Sequence, residues 1–127
     1  MTHRRSFAIR SLIGLGLCTF VAICGGARGD EANLAGRAEQ LLKERCGDCH
    51  AGADAKGGLQ LDSLDGVSRG NKRGAVVIAG QPGRSLLLEV VLSNKMPPDD
   101  PLSDAERSLP KDWIQEGADG LKKVEHR

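Results

Sequence analysis

The string Cys46-Gly47-Asp48-Cys49-His50 constrains this chain more than any other feature of its sequence. Two thiols three positions apart on a tight helical turn reach the same edge of a flat ligand, and an imidazole follows at once. C-x-x-C-H is the pattern of covalent haem attachment. The sulfurs meet the two vinyl groups on one side of the porphyrin, and His50 projects its ring at the iron, for which histidine is a common protein ligand. Three other readings compete. A structural zinc site needs four ligands; beyond Cys46, Cys49 and His50 the later chain offers only the distant His126, so carboxylates or a partner chain must complete the set. A thioredoxin-like redox pair expects a surrounding βαβ pattern, which the sequence lacks. A plain disulfide leaves His50 unexplained. Haem attachment accounts for all three residues.

The chain has 127 residues and a net charge of +1, with no bias toward nucleic acid. The balance is uneven. Residues 1–29 hold Arg4, Arg5, Arg10 and Arg28 and no acid. Without them 14 basic residues face 17 acidic ones, a balance of −3, and two haem propionates make it more acidic. A basic opening through Arg10, an apolar run from Leu12 to Ile23 and the small residues Gly25, Gly26, Ala27 and Gly29 read, in that order, as a secretory signal peptide. Ala27 and Gly29 suit the −3 and −1 positions, so cleavage is expected before Asp30. A run of roughly a dozen apolar residues is short of the ~20 a spanning helix needs. The expected organisation is a signal over 1–29 and one domain over 30–127, exported to the periplasm with no stable membrane insertion. Cys18 and Cys24 then belong to the signal. Leu17 and Ile23 precede them, where a lipoprotein site wants a small residue.

Aromatic residues are 2% of the chain, and beyond the signal only Trp113 remains. Aromatic side chains supply much of the buried area of an ordinary core, so a domain of this size without them has a thin one. A bound macrocycle would fill the gap.

One methionine, Met96, follows the signal, in Lys95-Met96-Pro97-Pro98. Two prolines fix φ and remove amide donors, giving a stiff, extended loop that can hold a thioether against iron. Methionine opposite histidine raises the reduction potential of a haem. The rival ligand His126 sits in a charged tail, of the kind that is usually mobile. Lys95 is a second rival, at high pH.

The remaining pattern is helical. Leu34, Ala38, Leu41 and Leu42 share a face of a helix over 33–45, with Asn33 as N-cap. Residues 51–74 show little periodicity. Within them Gly57 and Gly58 permit positive φ or a close approach to a flat ligand. Leu59 and Leu61 either face the porphyrin or tuck into a solvated loop. Residues 75–79, with the β-branched Val76, Val77 and Ile78, suit extended backbone, and Gln81-Pro82-Gly83 suits a turn. Ser85 is positioned to cap a short helix whose face is Leu86, Leu87, Val90 and Val91, ended by Asn94. Ser103-Asp104-Ala105-Glu106 is a capping box for a last helix reaching Glu116, with Gly117 as its stop and Leu109, Trp113 and Ile114 on one face. Pro110 inside it removes a hydrogen bond, costs about 3 kcal/mol if uncompensated, and should kink the helix. The expected fold class is all-α, a small helical domain wrapped around one covalent haem, its first and last helices packed together.

These pieces in sequence resemble the planctomycete-type cytochrome c domain. The resemblance is carried from Ala35 to about Ala118 by Cys46–His50, Lys56-Gly57-Gly58-Leu59-Gln60-Leu61-Asp62, Gly80-Gln81-Pro82-Gly83-Arg84-Ser85-Leu86-Leu87 and Lys95-Met96-Pro97-Pro98. It continues through Leu102–Glu106, Trp113-Ile114 and Gly117-Ala118. It implies an all-α fold, one covalent haem c, and His50 and Met96 as axial ligands. Pro110 departs from the family, whose last helix usually runs without proline.

The expected function is one-electron transfer, not catalysis, since two axial ligands leave no open iron position. The expected partners are redox proteins of the periplasm, with no nucleic acid, and a monomer is expected. Two rivals stand beside this: a haem sensor or peroxidase-like protein with labile Met96, and a haem-stabilised module that docks a larger extracytoplasmic enzyme.

Overall fold

The computed structural model describes residues 27–122. The residues expected to form the signal up to position 26, with Cys18 and Cys24, and His126 lie outside that range. Four α-helices follow in order: α1 Ala27–Cys46, α2 Leu64–Arg69, α3 Leu86–Leu92 and α4 Asp104–Gln115, with single 3₁₀ turns at Lys56–Gly58 and Pro82–Arg84. No strand occurs among the described residues; Asn71 and Gly74 pair only as an isolated bridge. The expected helical class holds.

Helix α1 is longer than the leucine pattern suggests. It starts six residues before Asn33, so Asn33 is an interior residue and caps nothing. No proline interrupts that extension, and periodicity marks only where a helix packs. Its buried stripe is Ala35, Ala38 and Leu42, with Leu34 packed at the margin. This face meets α4, as expected.

In α4 the buried residues are Pro110, Trp113 and Ile114, while Leu109 is only half-buried. The proline thus replaces the expected leucine in the core. A proline ring has no N–H to donate, so the Glu106 carbonyl lacks its helical donor, yet the helix continues through to Gln115. Trp113 Nε1 donates to the Asp119 carbonyl at 3.0 Å, satisfying the one polar atom of the largest core side chain. The expected stop is present. Gly117 has φ +108°, Gly117 N–H donates to Ile114 O and Ala118 N–H to Trp113 O, in the manner of a Schellman cap.

Helix α2 lies in the irregular stretch after the cysteines, where the sequence shows little periodicity. Six residues with apolar side chains only at Leu64 and Val67 are too short to show a period. The available signal was its cap: Ser63 Oγ accepts from Gly66 N–H at 3.1 Å. Glu39 Oε1 accepts from Leu64 N–H at 3.0 Å, fastening α2 to α1.

Residues 75–79 form no strand ladder. Val76 and Val77 are both buried. Val76 O accepts from Leu87 N–H, and Ile78 N–H donates to Ser85 Oγ at 2.9 Å. That last bond corrects the expected role of Ser85. The residue stands at the N-cap position of α3, but its hydroxyl makes no cap bond. Oγ instead accepts from Ile78 and donates back to Gln81 O at 3.0 Å. A buried non-repetitive segment has backbone groups that need partners, and Ser85 supplies one.

Candidate haem site

The two cysteines and His50 sit where α1 ends. Gly47 N–H still donates to Lys43 O, as in a helix; then Cys49 and His50 N–H both donate to Cys46 O, closing one tight turn. Gly47 is required there. A Cβ at this position would lie 2.3 Å from Lys43 O, a backbone atom with no freedom to retreat. Neither thiol is in a disulfide; Cys46 is half-buried and Cys49 exposed. Burial pushes the Cys46 thiol up from its ordinary pKa, partly opposed by the neighbouring Arg45 charge, so it stays a neutral thiol at pH 7.

The loop after His50 folds back over this turn. Lys56 N–H donates to Cys49 O at 2.9 Å and Leu61 N–H to His50 O at 2.7 Å. Gly57 and Gly58, at φ +67° and +68°, make the bend between them. The bend brings Leu59 O to 3.2 Å from His50 Nδ1. A carbonyl can only accept, so Nδ1 is the donor, and in the neutral ring this leaves Nε2 as the lone-pair nitrogen. This is the second-contact arrangement that fixes the tautomer of a metal-binding histidine.

Cys46, Cys49 and His50 line one cavity of about 370 Å³, within the ~300–1,000 Å³ of ordinary ligand sites. Its walls are almost wholly apolar. Leu59 and Leu61 come from the loop, Val76 from the connecting segment, and Leu86, Leu87, Val90 and Val91 from α3. The apolar face expected on α3 is therefore a cavity wall, and both loop leucines share it. Met96, Pro97 and Pro98 close the margin. All four sequence-identified site residues thus meet around one space. Arg45 and Lys56 also line it and were not anticipated; Arg45 adjoins the motif, which was the available signal.

The donor set fits a haem. It offers two thiols on one edge, an imidazole with its outer nitrogen satisfied, a thioether at the rim, and an apolar bed for a flat ring. It does not fit zinc: no group of three or more His, Cys, Asp or Glu side chains suited to a metal ion occurs among the described residues. No helix there is long and apolar enough to cross a membrane.

No curated protein and no solved structure gives a significant match to this chain. A family model does, over residues 46–100, and its description is Planctomycete cytochrome C. The match takes in the C-x-x-C-H turn, the Gly-Gly-Leu loop, α3 and the Met-Pro-Pro segment, every element that walls the cavity except the α1 residue Arg45. Over residues 46–100 the chain is thus similar to a planctomycete-type cytochrome c domain, and that similarity supports haem binding.

Proposed function

We propose that the chain is an exported monohaem electron carrier, with one haem c bonded through Cys46 and Cys49 and its iron held between His50 and Met96. The observation that carries this reading is the convergence of those four side chains on one apolar cavity, with His50 Nδ1 already engaged by Leu59 O. Bound there, haem c supplies a ferric/ferrous one-electron couple.

The residues divide the remaining work. Cys46 and Cys49 fix the ring edge to the end of α1. Leu59 O holds His50 through Nδ1, so Nε2 would be the nitrogen offered to the iron. Met96 would supply a thioether to the iron, which would raise the potential and leave no position for substrate. The leucine and valine walls exclude water, which tunes the same potential through the local dielectric. Residues 1–29 direct export, the partners are redox proteins of the periplasm, and the protein works as a monomer.

Met96 is 43% exposed, and that observation favours one second reading, a haem protein in which the thioether is easily displaced. An optical spectrum separates the two. A ferric band at ~695 nm marks iron–methionine ligation; a high-spin spectrum without it favours the labile site. The proposal as a whole is tested by the intact mass of protein purified from the periplasm. One added tetrapyrrole and loss of the first 29 residues are expected. Colourless material with two free thiols after position 30 overturns it.

A further inference from the structure

The segment that carries Met96 has little backbone support of its own. Asn94, at φ +57°, turns the chain out of α3, and Lys95 and Met96 N–H both donate to Val90 O at 2.9 and 3.1 Å. After that, residues 97–101 make no backbone–backbone hydrogen bond. Three of the five are proline and have no donor to offer.

Two arginines, one from α1 and one from α4, fill that gap. Arg45, the residue before Cys46, donates from Nη1 to Asp100 Oδ2 at 2.9 Å and from Nη2 to Asp100 O at 3.1 Å. Its Nε lies 3.3 Å from Glu106 Oε1, in ion-pair range though not aligned as a hydrogen bond. Arg107, in the first turns of α4, donates from Nε to Leu102 O at 2.7 Å and from Nη2 to Asn94 Oδ1 at 2.6 Å. Their contacts at Asn94, Asp100 and Leu102 bracket Met96 on both sides. The side chains of Arg45 and Arg107 are 26% and 22% exposed, whereas Asp100 is 77% exposed, so solvent weakens the Arg45–Asp100 ion pair.

From this we infer that Arg45 and Arg107 are positioning residues for the sixth iron ligand. Arg107 closes the loop on itself, and Arg45 sets its distance from the haem-attachment turn. The planar guanidinium fork suits each task, because one group satisfies two acceptors in fixed geometry. The inference rests on Met96 ligation as proposed above.

The test uses the ferric exported holoprotein, titrated with imidazole while the ~695 nm band is followed, with circular dichroism recording the fold. Imidazole binds only when Met96 leaves, so its apparent affinity reads how firmly the loop holds. Arg45→Gln should tighten imidazole binding roughly fivefold, the size expected for one partly exposed ion pair. Asp100→Asn should do less, because the Asp100 carbonyl contact survives, and the double variant should match Arg45→Gln alone. Arg107→Gln, which frees both ends of the loop, should give about tenfold. Val67→Ala, in the core away from the cavity, should lower thermal stability and leave imidazole affinity unchanged. If the arginine variants bind imidazole as the wild type does, or only in proportion to lost stability as Val67→Ala would set it, the inference is overturned. A wild type without the ~695 nm band sinks the Met96 reading itself; a normal band with unmoved affinities sinks the inference alone.

Discussion

The His50 side and the Met96 side of the cavity are built by different physics. On the His50 side the backbone does the holding. Cys49 O and His50 O are both taken by N–H groups of the returning loop, and the ring itself is bonded to Leu59 O. On the Met96 side, beyond the anchor at Val90 O, the holding is done by side chains, Arg45 and Arg107, on a loop whose residues are mostly exposed. Backbone contacts follow from the chain path and survive most substitutions. Side-chain contacts vanish with one. The two sides should therefore fail differently, the first by losing the cofactor and the second by losing a ligand while keeping the cofactor.

The severest way to break the His50 side is Gly47→Ala. The added carbon meets Lys43 O at 2.3 Å, so the turn must open and the sulfurs separate. We expect haem content per polypeptide to fall by about tenfold or more, a cost comparable to other strained backbone sites, read from haem absorbance against protein mass. Full haem loading in Gly47→Ala would mean that the turn is less rigid than its contacts imply. Met96→Ala breaks the other side. Haem should remain attached, the ~695 nm band should vanish, and the potential should drop by on the order of a few hundred millivolts, inside the ~0.8 V that axial ligands command. Voltammetry of the purified variant checks this, and an unchanged potential would remove Met96 from the iron.

The same contrast shows what could be read before any coordinates. The covalent motif, Met96, the Gly57-Gly58 bend and the capping box are local: each is a residue type at a fixed offset whose chemistry acts within a few positions. Ser103 and Glu106 do make the reciprocal cap, and Gly117 does end α4. What stayed hidden depends on partners far along the chain. Ser85 looks like a cap for α3, and only the neighbouring buried segment explains why its hydroxyl turns to Ile78 instead. Arg45 looks like a surface residue of α1 until Asp100 is seen beside it, 55 positions away. Pro110 reads as a kink in α4 because its missing hydrogen bond is local, whereas its burial in the core is not.

A smaller effect sharpens the comparison at the far end of the Met96 loop. Ser103 Oγ accepts from Glu106 N–H at 3.3 Å, and Ser103 N–H donates to Glu106 Oε2 at 2.8 Å. Ser103→Ala removes the first bond together with the donation of Ser103 Oγ to Glu106 Oε2 at 2.8 Å, and should cost about 1 kcal/mol, a fall in Tm of roughly 4–8 °C for a domain of this size. Haem content should not change, since nothing on the His50 side uses this cap. A scan of holoprotein, with haem absorbance before and after, measures both.

The least of these effects concerns acid. The Ser103 amide and hydroxyl hold the Glu106 carboxyl below its ordinary pKa, and the Arg45 charge adds to that. A carboxylate depressed in the folded state binds protons more readily when unfolded. Its contribution is therefore complete above the ordinary glutamate value of about 4.3 and fades as pH falls toward the lowered folded value. Glu106→Gln should reduce stability modestly at pH 7 and by progressively less as pH falls below the ordinary glutamate range, so the acid limb of the stability curve flattens. Because Glu106 also faces Arg45, the variant should loosen the Met96 loop slightly at neutral pH, seen as a small gain in imidazole affinity that disappears in Arg45→Gln/Glu106→Gln relative to Arg45→Gln. An acid limb as steep in Glu106→Gln as in the wild type would assign the acid sensitivity to other carboxylates. It would also leave the arginine brace resting on Asp100 alone.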